Sequence, residues 1–382
     1  MKKKIFCILH AITDDALEDL GGLTPLQKAN CPYLDTLARQ GDFVTVNPPQ
    51  YGGIATAIAA LIDEKTPKIH LQQGPLQAYA RGYRLAPQQR AFSTRFVATG
   101  EDVIIDVDDD IITNDEGKAL CKYLNKELRD DGCCFFHVEG PRAMMITDNS
   151  ELATLPTTLG ERPITAMGKK WLGEVKSEDV KKLLKKISDT LKKHEINSLR
   201  EDLEENFINA VLLSQGGTLP YEEFENNTNN ERKILLTTSE TSKGIARLLN
   251  INTHTLKKEQ KKYDNIACIM QKLDTIFEKN DTVFIEIFYL WDSTYKGNLL
   301  EKVKTIEYLD KNIIRPLKEH CDDNNTQLTV MPLKQCSITA GEWKQGPVPV
   351  VIYPTKGLHT APAFEEQYLH DTNEAYDITS LQ

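Results

Sequence analysis

The chain lacks any apolar run of membrane-spanning length, so no transmembrane helix is expected. It also lacks an excess of positive charge. Lys and Arg total 46 against 56 Asp and Glu, a formal net charge of -10, which argues against nucleic acid or an anionic membrane as a general partner. The eight cysteines contain no zinc-type Cys-Xaa-Xaa-Cys pairing, and Cys133-Cys134 are adjacent in an apolar stretch, so reduced, mostly structural thiols are expected. The start Met1-Lys2-Lys3-Lys4 followed by Ile5-Phe6-Cys7-Ile8-Leu9 has the outline of a secretory n-region. The apolar stretch is cut short by His10 and then Asp14-Asp15, which reads instead as the first strand of a cytoplasmic protein.

A chain of 382 residues, 40% hydrophobic and 27% charged, is long enough to bury a large core and to divide it between two domains. Short apolar runs alternate with helical patterns, which predicts an α/β fold of parallel strands joined by crossover helices. Core strands are predicted at 5–9, 210–213, 233–236, 283–288, 328–333 and 348–353, and helices at 25–39, 242–250, 263–277 and 299–317. Thr24, Pro25 and Gln27 form a helix-entry signature in which the threonine caps, the proline occupies the first turn and the glutamine completes a capping box. Between about 66 and 205 the rhythm changes to neighbouring antiparallel strands (91–98, 103–107, 133–138, 142–146) and a helix at 116–128. The expected organisation is a core domain of 1–65 and 206–382 with an inserted α+β domain at 66–205. The insert closes with a lysine-rich helix whose Val180, Leu183, Leu184, Ile187 and Leu191 recur at helical spacing, and its lysines read as a solvated face. The stretch 225–230 reads as an exposed polar loop.

Several blocks carry a likeness to a known family. They include Gly21-Gly22-Leu23-Thr24-Pro25-Leu26, Asn30-Cys31-Pro32-Tyr33-Leu34-Asp35-Thr36-Leu37-Ala38, Gly74-Pro75-Leu76-Gln77-Ala78, Ala91-Phe92-Ser93-Thr94-Arg95-Phe96 and Gly140-Pro141-Arg142-Ala143. Later come Asn209 to Gly217, Lys243-Gly244-Ile245-Ala246-Arg247, the helix pattern from Lys302 to Asp310, and Pro347 to Tyr353. Together, over nearly the full length, the chain resembles the archaeal-type 2,3-bisphosphoglycerate-independent phosphoglycerate mutases of the alkaline phosphatase superfamily. The resemblance implies an alkaline-phosphatase-like parallel-sheet core with helices on both faces and a smaller α+β insert. It also implies phosphoryl transfer through a serine phospho-enzyme assisted by two divalent cations.

At the positions where the resemblance places that machinery, this sequence departs. The aspartate at the first strand end is replaced by His10, and the nucleophilic serine by Gly53. The aspartate and histidine of the next motif become Trp291 and Tyr295, an adjacent Asp-His pair becomes Leu333-Lys334, and the last histidine becomes Trp343. Indole and isobutyl groups offer no ligand atom, and an ammonium repels a cation. The resemblance thus implies a degenerate member with no catalytic residues, no metal and no cofactor. Two arginines of the family's substrate site are replaced by Ser93 and Ser214, while Arg142, Arg200 and Lys243 stay as cationic candidates that also have ordinary uses in salt bridges.

Two readings of the replaced site stand side by side. Trp291, Tyr295 and Trp343, with His10 and Lys334 as polar handles, either stack on a new ligand or fill the space the cations left, and filling ranks first because an emptied charged cavity is costly. The expected function is binding of a small anionic ligand or a protein partner. The alternative is an enzyme acting on phosphorylated small molecules through a metal-free site around Arg142, Arg200 and Lys243. His10 with Asp14 or Asp15 is weighed as an acid–base pair against a hydrogen-bonded structural histidine, which ranks first, and His359, His370, Glu365 and Glu366 read as part of a surface tail.

Overall fold

The computed structural model describes residues 3–49, 51–66, 68–108, 110–149, 151–152, 167–173, 175–224, 232–255, 264–355, 357, 359–371 and 375–381. The chain divides into two compact units, Met1–His70 with Glu222–Gln382, and Leu71–Tyr221. In chain order the first unit contributes strands β1 (Lys4–Leu9) and β2 (Asp42–Asn47), and the second contributes β3 (Arg90–Gly100), β4 (Val103–Asp106), β5 (Cys133–Glu139), β6 (Arg142–Thr147) and β7 (Ala210–Gly217). The chain then returns to the first unit for β8 (Lys233–Thr237), β9 (Asn252–Thr255), β10 (Thr282–Ile287), β11 (Gln327–Met331), β12 (Gln335–Ser337), β13 (Glu342–Lys344), β14 (Val348–Tyr353) and β15 (Ala375–Asp377). The polar stretch 225–230 lies outside the described residues.

The first unit is built on an eight-stranded sheet in the order β15-β2-β14-β11-β1-β10-β8-β9. The run β11-β1-β10-β8-β9 is parallel. By contrast β14 is antiparallel to both neighbours, so the last predicted core strand enters the sheet in the opposite sense. β1 is buried on both faces: Ile5, Cys7 and Leu9 join the main core cluster, while Phe6 and Ile8 are equally inaccessible and Phe6 stacks on Phe284 at 4.9 Å. That double burial is why β1 and β10 read as continuous apolar runs rather than alternating ones.

The second unit is a five-stranded antiparallel sheet, β4-β3-β6-β5 with β7 on the other side of β3, packed against the helices Asn114–Glu127 and Glu178–Leu191. Here the structure corrects the expected limits. The unit begins at Leu71 and ends at Tyr221 rather than at 66 and 205, and 210–213, expected in the core sheet, pairs with Thr94 to Val97 of β3. The long β3 has two backbone edges to satisfy, and β6 supplies only one of them. On the helix Glu178–Leu191, Lys181, Lys182 and Lys192 pair with Glu178, Asp179 and Asp189, and Lys186 reaches Asp131.

Two predicted helices are divided. The stretch 25–39 forms Pro25–Lys28, with the Thr24/Gln27 capping box in place, and then Pro32–Gln40. Pro32 has no N–H to continue the first helix, but suits the first turn of the second. The stretch 299–317 forms Leu299–Leu309, a π-helical turn Asp310–Ile314, and Arg315–Asn324. That turn has a use: the side chain of buried Asp310 accepts the N–H groups of Tyr33 at 3.1 Å and Leu34 at 2.7 Å. It caps Pro32–Gln40, whose own N-cap Cys31 provides no side-chain bond. Burial pushes the Asp310 carboxyl up to about 6. No helix among the described residues is long and apolar enough to cross a membrane.

Candidate functional site

The carboxyl ends of β8, β10 and β1 bring together three side chains. His10, immediately after β1, donates its backbone N–H to Ile287 O at 3.0 Å, and its Nε2 bonds Glu286 Oε1 at 2.9 Å. Glu286 Oε2 accepts the Thr237 hydroxyl at 2.6 Å, and Thr237 Oγ1 in turn accepts the Ser239 N–H at 2.9 Å. His10 and Glu286 are both fully buried at the side chain. The imidazole stacks on Phe288, centroids 4.1 Å apart, and meets Trp343 edge-on at 6.0 Å. Its Nδ1 has no hydrogen-bond partner among the described residues. The following residue, Ala11, takes φ 62°, a left-handed conformation rare for a residue with a Cβ, where the chain turns sharply away from the sheet.

Trp343 sits on β13 directly opposite Cys336 of β12, and lies flat on Trp291 with ring centroids 4.1 Å apart and planes 7° from parallel. Trp291 and Tyr295 share the short helix Tyr289–Tyr295, 6.3 Å apart; Tyr295 is buried, and the indoles of Trp291 and Trp343 are half-buried. Leu333 is fully buried, and the nearby Lys334 ammonium donates to Gly52 O at 3.1 Å. Gly53 is the N-cap of the helix Ile54–Ile62, and a Cβ added there would meet nothing within 4 Å.

A second network involves Cys336, the cross-strand neighbour of Trp343. Lys302, fully buried on the helix Leu299–Leu309, places Nζ 2.5 Å from Asp14 Oδ2, 3.3 Å from Thr13 O and 3.3 Å from Cys336 Sγ. Asp14 Oδ1 accepts the N–H groups of Asp15 and Ile338, both at 2.9 Å. Asp15 forms an ion pair with Lys344. The weighed acid–base pairing of His10 with Asp14 or Asp15 is not formed: each aspartate is held by a lysine, and His10 is hydrogen-bonded to Glu286 instead. Burial pushes the Cys336 thiol up to about 11, although Lys302 pulls the other way.

His10, Trp291, Tyr295 and Trp343 are thus brought together in the first unit, with Lys334 closing on the Gly52-Gly53 turn. Each of the three cationic candidates is engaged by acidic or carbonyl groups of its own unit. Arg142 and Arg200 belong to the second unit and Lys243 to the first. Arg142 pairs with Glu139 at 2.8 Å on an exposed hairpin, and Lys243 with Glu240 at 2.7 Å. Arg200 is buried and spent on Ile111 O at 2.5 Å, Asn206 O at 3.2 Å, Glu205 at 3.2 Å and Glu116 at 3.5 Å. Ser93 and Ser214 face each other as a cross-strand pair of β3 and β7. Gly216 lies against Phe92, whose ring atoms would be 2.1 Å from an added Cβ, so close packing accounts for that glycine.

The sequence signal for Glu286 was present: a lone carboxylate inside the apolar run from Val283 to Phe288 must find a buried partner. Thr237 and Lys302 gave no comparable signal. Among the described residues, no group of three or more His, Cys, Asp or Glu side chains is arranged to hold a metal ion.

The sequence profile of the 2,3-bisphosphoglycerate-independent phosphoglycerate mutases matches residues 66–197. A relative of that name from Methanopyrus kandleri is 26% identical over 380 residues, spanning 92% of this chain and 88% of its own. Among solved structures, a protein from Pyrococcus horikoshii superposes with a TM-score of 0.75 at 19% identity, covering 100% of this chain and 95% of the other. The cofactor-independent phosphoglycerate mutase from Thermoplasma acidophilum gives 0.55 at 21% identity, covering 100% and 98%.

Proposed function

We propose that this protein is a catalytically degenerate member of the 2,3-bisphosphoglycerate-independent phosphoglycerate mutase family and acts by binding a ligand or a protein partner. The observation that carries the reading is the chemistry of the strand-end cluster. Divalent cations require free carboxylate or imidazole lone pairs, and would supply nucleophile activation and charge neutralisation in phosphoryl transfer. The donors here do not fit two such ions. His10 holds Nε2 on Glu286 and keeps only Nδ1 open, one donor where two ions need several; Trp291 and Trp343 present carbon faces, Leu333 offers nothing, and Lys334 brings a positive charge against the Gly52 carbonyl. Gly53 supplies no nucleophile.

The mutual stacking of Trp291 and Trp343 supports space filling as the first role of these rings. Both indoles stay partly exposed, which leaves an aromatic surface. That surface is the binding element of the proposal.

The test is a phosphoglycerate isomerisation assay on the full chain with added Mn²⁺ or Zn²⁺. The expected rate equals the protein-free blank, both for the wild type and for Gly53→Ser, which the open space at residue 53 accommodates. Metal-dependent turnover by the wild type would overturn the reading.

A further inference from the structure

The stretch 359–371, expected as a surface tail, is a strap bound to one flank of the first unit. Phe43 N–H donates to His359 O at 2.6 Å and Ala361 N–H to Ala38 O at 3.0 Å. Phe364 N–H donates to Asp35 Oδ1 at 3.2 Å, and the Thr45 hydroxyl to Leu369 O at 3.4 Å. Ala361, Phe364 and Leu369 are buried, and Phe43 meets Phe364 and Tyr368 edge-on. At the middle of the strap, Glu366 spends both carboxylate oxygens on the segment that follows β1. Oε1 accepts the Asp14 N–H at 3.0 Å, and Oε2 accepts the Thr24 hydroxyl at 2.8 Å. One carboxyl group therefore joins the strap to the segment that begins at His10 and contains Asp14.

We propose that Glu366 is a proton-operated latch: while its carboxyl is neutral the strap and the post-β1 segment stay joined, and once it is ionised they part more readily. Both contacts survive protonation, because the carbonyl oxygen still accepts from Asp14 N–H and the acid proton can be donated to Thr24 Oγ1. Ionisation leaves a charge in a poorly hydrated place. Burial raises the Glu366 carboxyl from 4.5 to about 7, against the opposing hydrogen bonds and the attraction of Lys302. In the opened strap the carboxyl regains water and its ordinary acidity. Closing then takes up a proton between those two values, so opening becomes more frequent as pH rises through the window and levels off above it.

The surrounding charges do not cancel the effect. Lys302, on the helix Leu299–Leu309, favours the ionised form and is already bound to Asp14. Asp14, Asp15 and the neighbouring Glu365 oppose it as like charges, and Lys344 is engaged by Asp15. The Cys336 thiol, held up to about 11, stays neutral across the range of interest.

Amide hydrogen exchange on the full chain, read by mass spectrometry from pH 5.5 to 8.5 and corrected for intrinsic exchange, tests the latch. Peptides covering 11–24 and 359–371 are expected to lose protection roughly thirty-fold across that range, the ratio that carboxyl values of 4.5 and about 7 give. A peptide from β1 serves as the unchanged reference. Glu366→Gln retains an acceptor and a donor without titrating, and is expected to abolish the pH slope. A wild-type slope of zero, or an equal slope in Glu366→Gln, overturns the proposal. Should Glu366→Gln not fold, Thr24→Val removes one donor to the ionised form and is expected to carry the loss of protection to higher pH. An unaltered wild-type profile in that variant counts against the latch.

Discussion

Replacing Lys302 by Met is expected to lower the free energy of unfolding by about 3–5 kcal/mol at pH 7, the cost of stranding one member of a buried ion pair. The lysine has no access to solvent, and its ammonium is the cation at Asp14 Oδ2, 2.5 Å away. Methionine fills most of the same volume, so the loss reads the missing charge rather than a cavity. Asp14 would keep the N–H groups of Asp15 and Ile338 on Oδ1 and lose its counter-charge. The companion variant Asp14→Asn with Lys302→Met removes both charges and is expected to recover more than half of the loss. Urea unfolding of the three proteins decides the matter. A single-variant loss below about 1 kcal/mol, the size of an exposed pair, would show that this lysine is not paired in the interior.

Glu286→Leu is expected to cost about 2–4 kcal/mol, because it leaves the His10 ring and the Thr237 hydroxyl buried without their shared acceptor. The change also carries a spectroscopic signature. Two of the three tryptophans, Trp291 and Trp343, stack beside His10, whereas Trp171 is buried in the second unit with its indole N–H on Val211 O at 2.9 Å. Loosening His10 is expected to shift the fluorescence to longer wavelength and to increase quenching by acrylamide, and a Trp171→Phe background isolates the stacked pair. His10→Phe with Glu286→Leu removes the polar set while keeping a ring against Phe288, and is expected to restore both stability and spectrum in part. An unchanged spectrum in Glu286→Leu would mean that the dyad does not position the indoles.

Much of the core sheet was legible because β1, β8, β10 and β11 are apolar runs buried on both faces, and such runs leave few other assignments. The post-β1 position of His10 was legible for the same reason. Its partner was not: Glu286 lies 276 residues away in the chain, and only the parallel register of β1 with β10, Leu9 opposite Ile287, brings the two together. The placement of β7 failed on comparable grounds. An apolar run shows that a strand is buried without showing which edge it satisfies, and the open edge belonged to β3. The division of 299–317 at the π-helical turn was hidden by an apolar spacing that continues through it, even though Pro316 marks the start of the last segment. Glu366 was read as a surface acid because the sequence around it is polar; its two hydrogen bonds go to residues more than 340 positions earlier.

The strand-end cluster therefore combines a hydrogen-bonded triad, a stacked indole pair and a lysine bonded to a backbone carbonyl, and the proposed function rests on that set being unable to hold a pair of cations. Titration of the purified full chain with Mn²⁺ in a calorimeter, paired with elemental analysis of the protein as isolated, tests this most directly. The expected result is substoichiometric metal and no saturable binding heat. Two equivalents bound per chain, with affinity lost in His10→Ala, would contradict it.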